Sequence, residues 1–88
     1  MAQLTFTKEG DYYVAKFTAV SPFNLHIERV KAGTLKIEQK TAGTEYAFSD
    51  ALPTQKTHDV DITGFVFPKE IRVTSTVEVI LGIVTFKL

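Results

Sequence analysis

The stretch Phe23-Asn24-Leu25-His26-Ile27-Glu28 decides the fold, because apolar and polar side chains alternate along it without interruption. Successive side chains of a strand point to opposite faces, so a period of two predicts a strand with one buried face. The segments Thr34-Leu35-Lys36-Ile37-Glu38 and Asp59-Val60-Asp61-Ile62-Thr63 alternate in the same way. No window keeps the three-to-four-residue apolar spacing of an amphipathic helix. The sequence therefore predicts an all-β protein.

The composition supports this prediction and limits the chain to one domain. Valine, isoleucine and threonine make up 27 of the 88 residues, and their stiff, β-branched side chains favour strands over helices. A domain usually has about 100 to 200 residues, so we expect a single β domain over residues 1–88.

About eight strands are predicted, separated by residues that favour turns. Short reversals are expected at Glu9-Gly10-Asp11, Lys31-Ala32-Gly33 and Ala42-Gly43-Thr44, where glycine permits tight turns. Ser21-Pro22 should interrupt a strand, because proline donates no ladder hydrogen bond. The predicted strands are 4–7, 12–20, 23–30, 34–40, 44–49, 57–63, 71–74 and 77–86, with one long loop over 50–56 and a last turn at 67–70. Short strands at this spacing indicate a two-sheet antiparallel β-sandwich or small jelly roll.

The inward face of each predicted strand defines a core. We expect it to contain Phe6, Val14 or Phe17, Phe23, Leu25, Ile27, Leu35, Ile37, Tyr46, Phe48, Val60, Ile62, Ile71, Val73, Val77, Val79 and Leu81.

Charge and cysteine content exclude several classes of function. Ten basic side chains balance ten acidic ones, which leaves no basic surface of the kind that nucleic-acid-binding proteins carry. The first residues lack the pattern of a signal peptide, and no apolar stretch approaches the roughly 20 residues of a membrane span. With no cysteine there are no disulfides or thiolate metal sites. We therefore expect no nucleic-acid partner and no membrane partner. The lack of cysteine suits assembly in a reducing cytosol, but many secreted bacterial proteins also lack it.

No residue pattern predicts catalysis, a metal or a cofactor. Asp59 and Asp61 should share the solvent face of one strand beside His58, but calcium sites need six to eight oxygen ligands from a shaped loop. His26 and Glu28 share an outward face, where an imidazole that titrates near pH 6.5 would respond to pH. The three serines lie in no nucleophile elbow, and the chain has no glycine-rich phosphate loop. We expect a protein that is not an enzyme.

Four aromatic residues near the predicted turns form a candidate contact site: Tyr12, Tyr13, Phe65 and Phe67. Exposed rings at such positions could stack on sugars, or they could close the ends of the core. Both interpretations remain open from the sequence.

The last strand, 77–86, departs from simple alternation because its segment 80–84 is apolar on both faces around Gly82. One interpretation is that a partner covers the second face, which would place Ile80, Ile83, Val84, Phe86 and Leu88 in an interface. The other is that a bulge or a close backbone approach at Gly82 switches the inward face within one monomeric core.

Three stretches together suggest a family. These are 23–29, 64–73 and the closing strand 77–86, in which the strand patterns Phe23-Asn24-Leu25-His26-Ile27-Glu28-Arg29 and Gly64-Phe65-Val66-Phe67-Pro68-Lys69-Glu70-Ile71-Arg72-Val73 are the main elements. The arrangement resembles small β-sandwich virion proteins of tailed bacteriophages, crAss-like phages in particular. The resemblance covers nearly the whole chain and carries no catalytic motif.

The resemblance implies a structural virion protein, most simply an auxiliary or decoration protein that binds the major capsid protein or other virion subunits in many copies. Such a protein would be assembled in the host cytoplasm and would lie on the capsid surface. Two alternatives are a small carbohydrate-binding module with a sugar ligand, and an accessory protein of the phage tail or baseplate.

Overall fold

The computed structural model describes residues 2–40, 46–63 and 66–87, with the backbone alone for 47–51 and 53. Within these ranges the chain forms seven strands and no helix, so the all-β prediction is confirmed. The strands are β1 (Ala2–Gln3), β2 (Thr7–Glu9), β3 (Tyr12–Ala19), β4 (Phe23–Lys40), β5 (Tyr46–Ile62), β6 (Lys69–Ser75) and β7 (Val79–Phe86). The predicted reversal at Gly43 lies outside the described residues.

β4 is the centre of the sheet. β5 pairs with it along one side, while β7 and β6 share the other side, next to 23–29 and 35–39 respectively. β3 and β2 continue the sheet beyond β6, and β1 continues it beyond β7. Every pairing is antiparallel, and the sheet is curled into a half-barrel. The predicted division into two sheets, as in a sandwich or jelly roll, is not confirmed.

Two predicted connections are wrong, because β4 and β5 are single long strands that bend instead of ending. The chain does not reverse at Lys31-Ala32-Gly33, and strand structure continues through 50–56. β4 uses five residues to advance from Glu28 to Gly33 while β5 uses two, from Thr57 to Gln55. The extra β4 residues form an irregularity at which both strands bend.

Gly33 is needed at this bend because another segment comes very close. A Cβ atom there would lie 2.8 Å from Thr76 Oγ1 and 2.9 Å from Val77 Cγ1, in the connection between β6 and β7. The glycine that indicated a turn in the sequence instead allows β4 to contact the connection between β6 and β7.

A bulge was one of the two interpretations of the last strand, and β7 does contain one. It lies at Ile80 and not at Gly82. Arg29 is opposite Val79 and Glu28 is opposite Leu81, so Ile80 is the additional residue. Val79 packs on the core before the bulge, and Val84 and Phe86 do so after it. The inward face therefore switches from odd to even positions at Ile80.

Gly82 marks a close approach instead of the bulge itself. A Cβ atom on Gly82 would lie 2.8 Å from Cε1 of Phe6 and 3.2 Å from Cδ1 of Ile27. Leu81 consequently takes the outer face and is half-buried, so its assignment to the core is wrong.

The core fills the concave side of the half-barrel. Phe23 is fully buried and contacts the rings of Phe17, Phe86 and Phe67, with centroid separations of 5.2, 6.3 and 6.4 Å. Tyr46 is not in this core, because its ring stacks on Arg72, and the side chain of Phe48 lies outside the described part. The buried residues that form this core are Ala19, Phe23, Leu25, Ile27, Leu35, Ile37, Ile71, Val73 and Val84, and Phe17 packs against them. Val14, Ala15 and Val77 are buried outside this cluster.

Candidate functional site

The residues of the suggested β7 interface are divided between the two faces of the sheet. Ile80, at the bulge, is 64% exposed, and Ile83 is half-buried at a position opposite His26. Val84 is buried, and Phe86 packs on Phe17 and Phe23. Leu88 lies outside the described residues. The surface that β7 presents is therefore formed by Ile80 with the half-buried Leu81 and Ile83, and we call it the β7 surface.

The three aromatic candidates that the structure describes do not form one platform. Tyr12 is 47% exposed, while Tyr13 is half-buried and lies under the ammonium group of Lys8 at 5.9 Å from the ring centroid. Phe67 packs on the core against Phe23. Phe65 lies outside the described residues. The structure thus leaves Tyr12 as the exposed ring among the described candidates.

Tyr12 borders a groove of about 350 Å³ on the convex side of the sheet, which we call the Tyr12 groove. Its floor is an ion pair in which Arg72 donates from Nε and Nη2 to the two carboxylate oxygens of Glu38, at 3.1 and 2.6 Å. The Thr74 hydroxyl donates to the same carboxylate at 3.1 Å. The groove is lined by Glu9, Tyr12, Val14, Lys36, Glu38, Arg72 and Thr74.

The electrostatics of this pair fix its charges over the physiological pH range. Burial opposes the ionisation of Glu38, but the hydrogen bonds from Arg72 and Thr74 outweigh it and lower its pKa. The hydrogen bond to Glu38 raises the pKa of Arg72. The guanidinium also lies 4.5 Å from the centroid of the Tyr46 ring, a cation–π contact. The result is a hydrogen-bonded, charged floor beside one exposed aromatic ring.

A second groove, of about 490 Å³, lies beside Tyr46. Lys40 and Glu70 form an ion pair of 3.0 Å in its wall, and the hydrogen bond to Glu70 raises the pKa of Lys40. Lys16, Phe17, Thr18, Lys40, Tyr46 and Glu70 line this groove.

A polar cluster covers the outer face of β4 and β5, where the sequence predicted that His26 and Glu28 would share one side. His26 Nε2 lies 2.8 Å from Glu28 Oε2, and Nδ1 lies 3.2 Å from Asp59 Oδ2. Both ring nitrogens thus face carboxylates, which only the doubly protonated imidazolium satisfies. The hydrogen bond to Glu28, with that to Asp59, raises the pKa of His26 despite partial desolvation.

The cluster continues along the strands to the end of β7. Asn24 Nδ2 donates to Asp59 at 2.7 Å and to Asp61 at 3.1 Å, and Lys87 Nζ lies 2.9 Å from Asp61. The hydrogen bond from Asn24 lowers the pKa of Asp59, and that from Lys87 lowers the pKa of Asp61. As predicted, both aspartates lie on one exposed face.

A buried polar centre that was not predicted from the sequence lies at the bend of β4. Arg29 and His58 are 0% and 2% exposed, respectively, and Nη2 of Arg29 lies 2.7 Å from Nε2 of His58. Because arginine can only donate, His58 accepts on Nε2 and is neutral. Burial, with the charge of Arg29, lowers the pKa of His58, and burial also lowers the pKa of Arg29.

Backbone carbonyls hold the Arg29 guanidinium in place. Nη1 donates to Thr34 O at 3.1 Å, and the two hydrogens of Nη2 are shared among Gly33 O at 2.8 Å, Gln55 O and His58 Nε2. Nη1 also donates to the Ser75 hydroxyl at 3.1 Å. Arg29 Nε is buried and has no hydrogen-bond partner among the described residues. The guanidinium thus ties β4 to β5 and to the end of β6 at the bend.

Alternation in the sequence carried a signal for this centre. Phe23, Leu25 and Ile27 point inward, so the same period places Arg29 inward. Arginine is almost never fully buried without a partner, so an inward position for Arg29 was not predicted although the alternation pointed to it.

Within 2–40, 46–63 and 66–87, no group of three or more histidine, cysteine, aspartate or glutamate side chains is arranged to hold a metal ion. The same residues include no helix long and apolar enough to cross a membrane.

Comparisons with protein-family models, with curated proteins and with solved structures found no match to this chain.

Proposed function

We propose that the chain is a structural virion protein of a tailed bacteriophage, an auxiliary or decoration subunit that binds the major capsid protein and stabilises the head. Its curled sheet would serve as the small sandwich-like body that the sequence resemblance implies. The proposal places the protein on the capsid surface in many copies, after assembly in the host cytoplasm.

The observation that carries this proposal is the β7 surface. Ile80 leaves 64% of its area in contact with water, and the bulge at this residue prevents it from joining the core. Leu81 and Ile83 extend the apolar character along the outer side of the same strand. Burial of apolar area contributes about 25 cal/mol per Å², so a capsid subunit that covers this strand would gain binding energy.

A decoration subunit does not need a high affinity for any single capsid subunit. An interface of standard size buries about 800 Å² on each partner, and repetition on a symmetric shell multiplies weak contacts through high effective concentration.

Co-sedimentation with purified phage heads tests the proposal with two matched variants. Ile80→Asp places a charge on the β7 surface, and Val20→Asp places one at an equally exposed valine elsewhere, also 64% exposed. We expect both variants to melt within a few degrees of the unmodified protein, Val20→Asp to bind heads, and Ile80→Asp to lose binding. Binding to isolated tails or baseplates but not to heads would favour the accessory-protein alternative.

The Tyr12 groove supports a second candidate function, the binding of a saccharide. Sugar sites combine a ring that stacks on a pyranose face with planar polar side chains that bond its hydroxyls. Tyr12 provides the ring, and Glu38 with Arg72 provides the planar polar groups, although their mutual hydrogen bonds occupy part of their capacity.

A glycan array with Tyr12→Ala and Tyr13→Ala separates this candidate from the first. Saturable binding that Tyr12→Ala abolishes and Tyr13→Ala retains would establish a sugar site in the groove. The decoration proposal predicts no saturable glycan binding by the unmodified chain.

A further inference from the structure

The strands at the edges of the sheet differ greatly in length. β1 and β2, at one end each, contain two and three residues, whereas β5 contains 17 and pairs only with β4 among the described strands. Proteins commonly keep edge strands short or cover them, because an edge presents unpaired backbone groups that bind other strands. β5 is therefore the unusual edge.

The straight part of this edge is Thr57 to Ile62, which pairs residue by residue with Phe23 to Glu28 without a register shift. Lys87 N donates to Pro22 O at 2.7 Å, so the Pro22 carbonyl points towards β7. Backbone groups of successive strand residues point to opposite sides. Those of Phe23 therefore point towards β5, and the same holds at every second residue that follows.

It follows that His58, Val60 and Ile62 direct their backbone groups back to β4, because they are opposite Ile27, Leu25 and Phe23. The N–H and C=O groups of Thr57, Asp59 and Asp61 consequently point away from β4. Three residues in alternation thus present the hydrogen-bonding edge that an additional antiparallel or parallel strand requires.

The side chains along this edge specify the chemistry of such a strand. Val60 and Ile62 pack on the core but are only half-buried, so an apolar neighbour would complete their burial. On the outer face, the side chains of Asp59 and Asp61 are 62% and 55% exposed. Basic residues opposite them would form favourable cross-strand pairs.

A second copy of this chain does not fit the edge well. In an antiparallel pair of β5 strands, alignment of Val60 with Val60 of the second copy places each Asp59 opposite an Asp61. Alignment of Val60 with Ile62 places Asp61 opposite Asp61. Like charges directly opposite each other destabilise a strand pair, so the apolar and charged faces favour conflicting registers.

We propose that the 57–62 edge of β5 is a strand-addition site for an extended segment of another protein in which apolar residues alternate with lysine or arginine. This inference goes beyond the proposed function, because it assigns a second surface and the chemistry of the partner segment that binds there.

The test uses a blocked seven-residue peptide that alternates lysine and valine, labelled for fluorescence polarisation, and the full chain. Thr57→Pro removes one outward N–H, whereas Thr57→Ala shortens the same exposed side chain and keeps the N–H, so the two variants have equal charge. We expect the unmodified chain and Thr57→Ala to bind within about twofold of each other and Thr57→Pro to bind at least tenfold more weakly. A peptide with glutamate in place of lysine should bind at least tenfold more weakly than the lysine peptide.

A second variant keeps the test decisive if Thr57→Pro does not fold. Asp59→Asn with Asp61→Asn leaves the backbone edge intact and should weaken lysine-peptide binding about 2- to 30-fold, as expected for the loss of two cross-strand charge pairs. Absence of lysine-peptide binding, or binding that neither change affects, would overturn the proposal. So would ultracentrifugation that shows dimers of the unmodified chain which Thr57→Pro converts to monomers.

The same proteins separate this proposal from the proposed function. If the β5 edge binds the peptide but no variant co-sediments with heads, the virion role fails and the strand-addition site stands. If heads are bound equally by Thr57→Ala and Thr57→Pro while the peptide is not bound, the virion role stands and the edge proposal fails.

Discussion

The two histidines lie in opposite environments on the two faces of one pair of strands. On the outer face, His26 lies between the carboxylates of Glu28 and Asp59, which favour its charged form. On the inner face, His58 is buried against the guanidinium of Arg29, which favours its neutral form. Water can replace the hydrogen bonds of the outer groups if a partner is removed. It cannot reach the buried inner groups to do the same.

The contrast between the two faces indicates which contacts stabilise the fold most. The inner centre joins β4, β5 and the end of β6 where β4 and β5 bend, through donors on one side chain and acceptors on the backbone. A buried polar group that loses its partner costs far more than an exposed one. We therefore expect the two faces to respond very differently to equivalent substitutions.

The largest effect should come from Arg29→Ala, which removes the guanidinium and leaves buried carbonyls and the Ser75 hydroxyl without a donor. We expect a loss of about 3–5 kcal/mol in the free energy of unfolding, measured by urea denaturation. The control is Lys31→Ala, since Lys31 is exposed two residues further along β4, and it should change stability by less than about 0.5 kcal/mol. An Arg29→Ala variant as stable as this control would show that the centre does not hold the bend.

A smaller loss is expected for Ser75→Ala. The Ser75 hydroxyl accepts from Arg29 Nη1 at 3.1 Å, donates to Val77 O at 2.6 Å and accepts from Val77 N at 3.2 Å. Its removal should cost about 1–3 kcal/mol, because buried donors lose their acceptor. Thermal unfolding of this variant beside the exposed Thr85→Ala checks the value, and equal melting temperatures for the two variants would contradict it.

The sequence predicted the local pattern of the fold better than its long-range geometry. The alternation of 23–28, the turn at Gly10 and the break at Pro22 are confirmed, because each depends on neighbouring residues only. The reversal at Gly33 is wrong, since the need for glycine there comes from Thr76 and Val77, more than 40 residues away. No local pattern contains that information.

The candidate site was predictable to a similar degree. The shared face of His26 and Glu28 followed from alternation, but Asp59 reaches His26 only through the pairing of β4 with β5. The apolar segment 80–84 indicated a choice between a bulge and an interface. The register of β7 against β4 was needed to place the bulge at Ile80 and to direct Phe86 inward.

The outer face should show a much smaller effect. His26→Gln removes the imidazolium between Glu28 and Asp59 but leaves a polar side chain on an exposed surface. Exposed ion pairs contribute about 0.2–1 kcal/mol, so we expect a change below about 1 kcal/mol in urea denaturation at pH 6. The loss should shrink further in 1 M salt, which screens exposed charges. A loss as large as that of Ser75→Ala would show that the two faces do not differ in the proposed way.

The smallest effect, and the most specific one, concerns the dependence of stability on pH near the ordinary histidine pKa of about 6.5. The pKa of His26 is raised in the folded chain, so its contribution is fully present below the unfolded pKa and is lost as the pH rises through the folded pKa. The pKa of His58 is lowered, so its contribution is present above the unfolded pKa and is lost as the pH falls towards the folded one. The His58 slope lies below the ordinary pKa and the His26 slope lies above it, so we expect the unfolding free energy of the unmodified protein to rise with pH towards about 6.5 and to fall above it. In His26→Gln only the His58 slope remains, so stability should rise with pH up to about 6.5 and stay level above it. Titration of the two imidazole rings by NMR gives the independent check, since the His26 pKa should lie above that of His58. A His26→Gln variant whose stability falls with rising pH would contradict the assignment of opposite protonation states to the two faces.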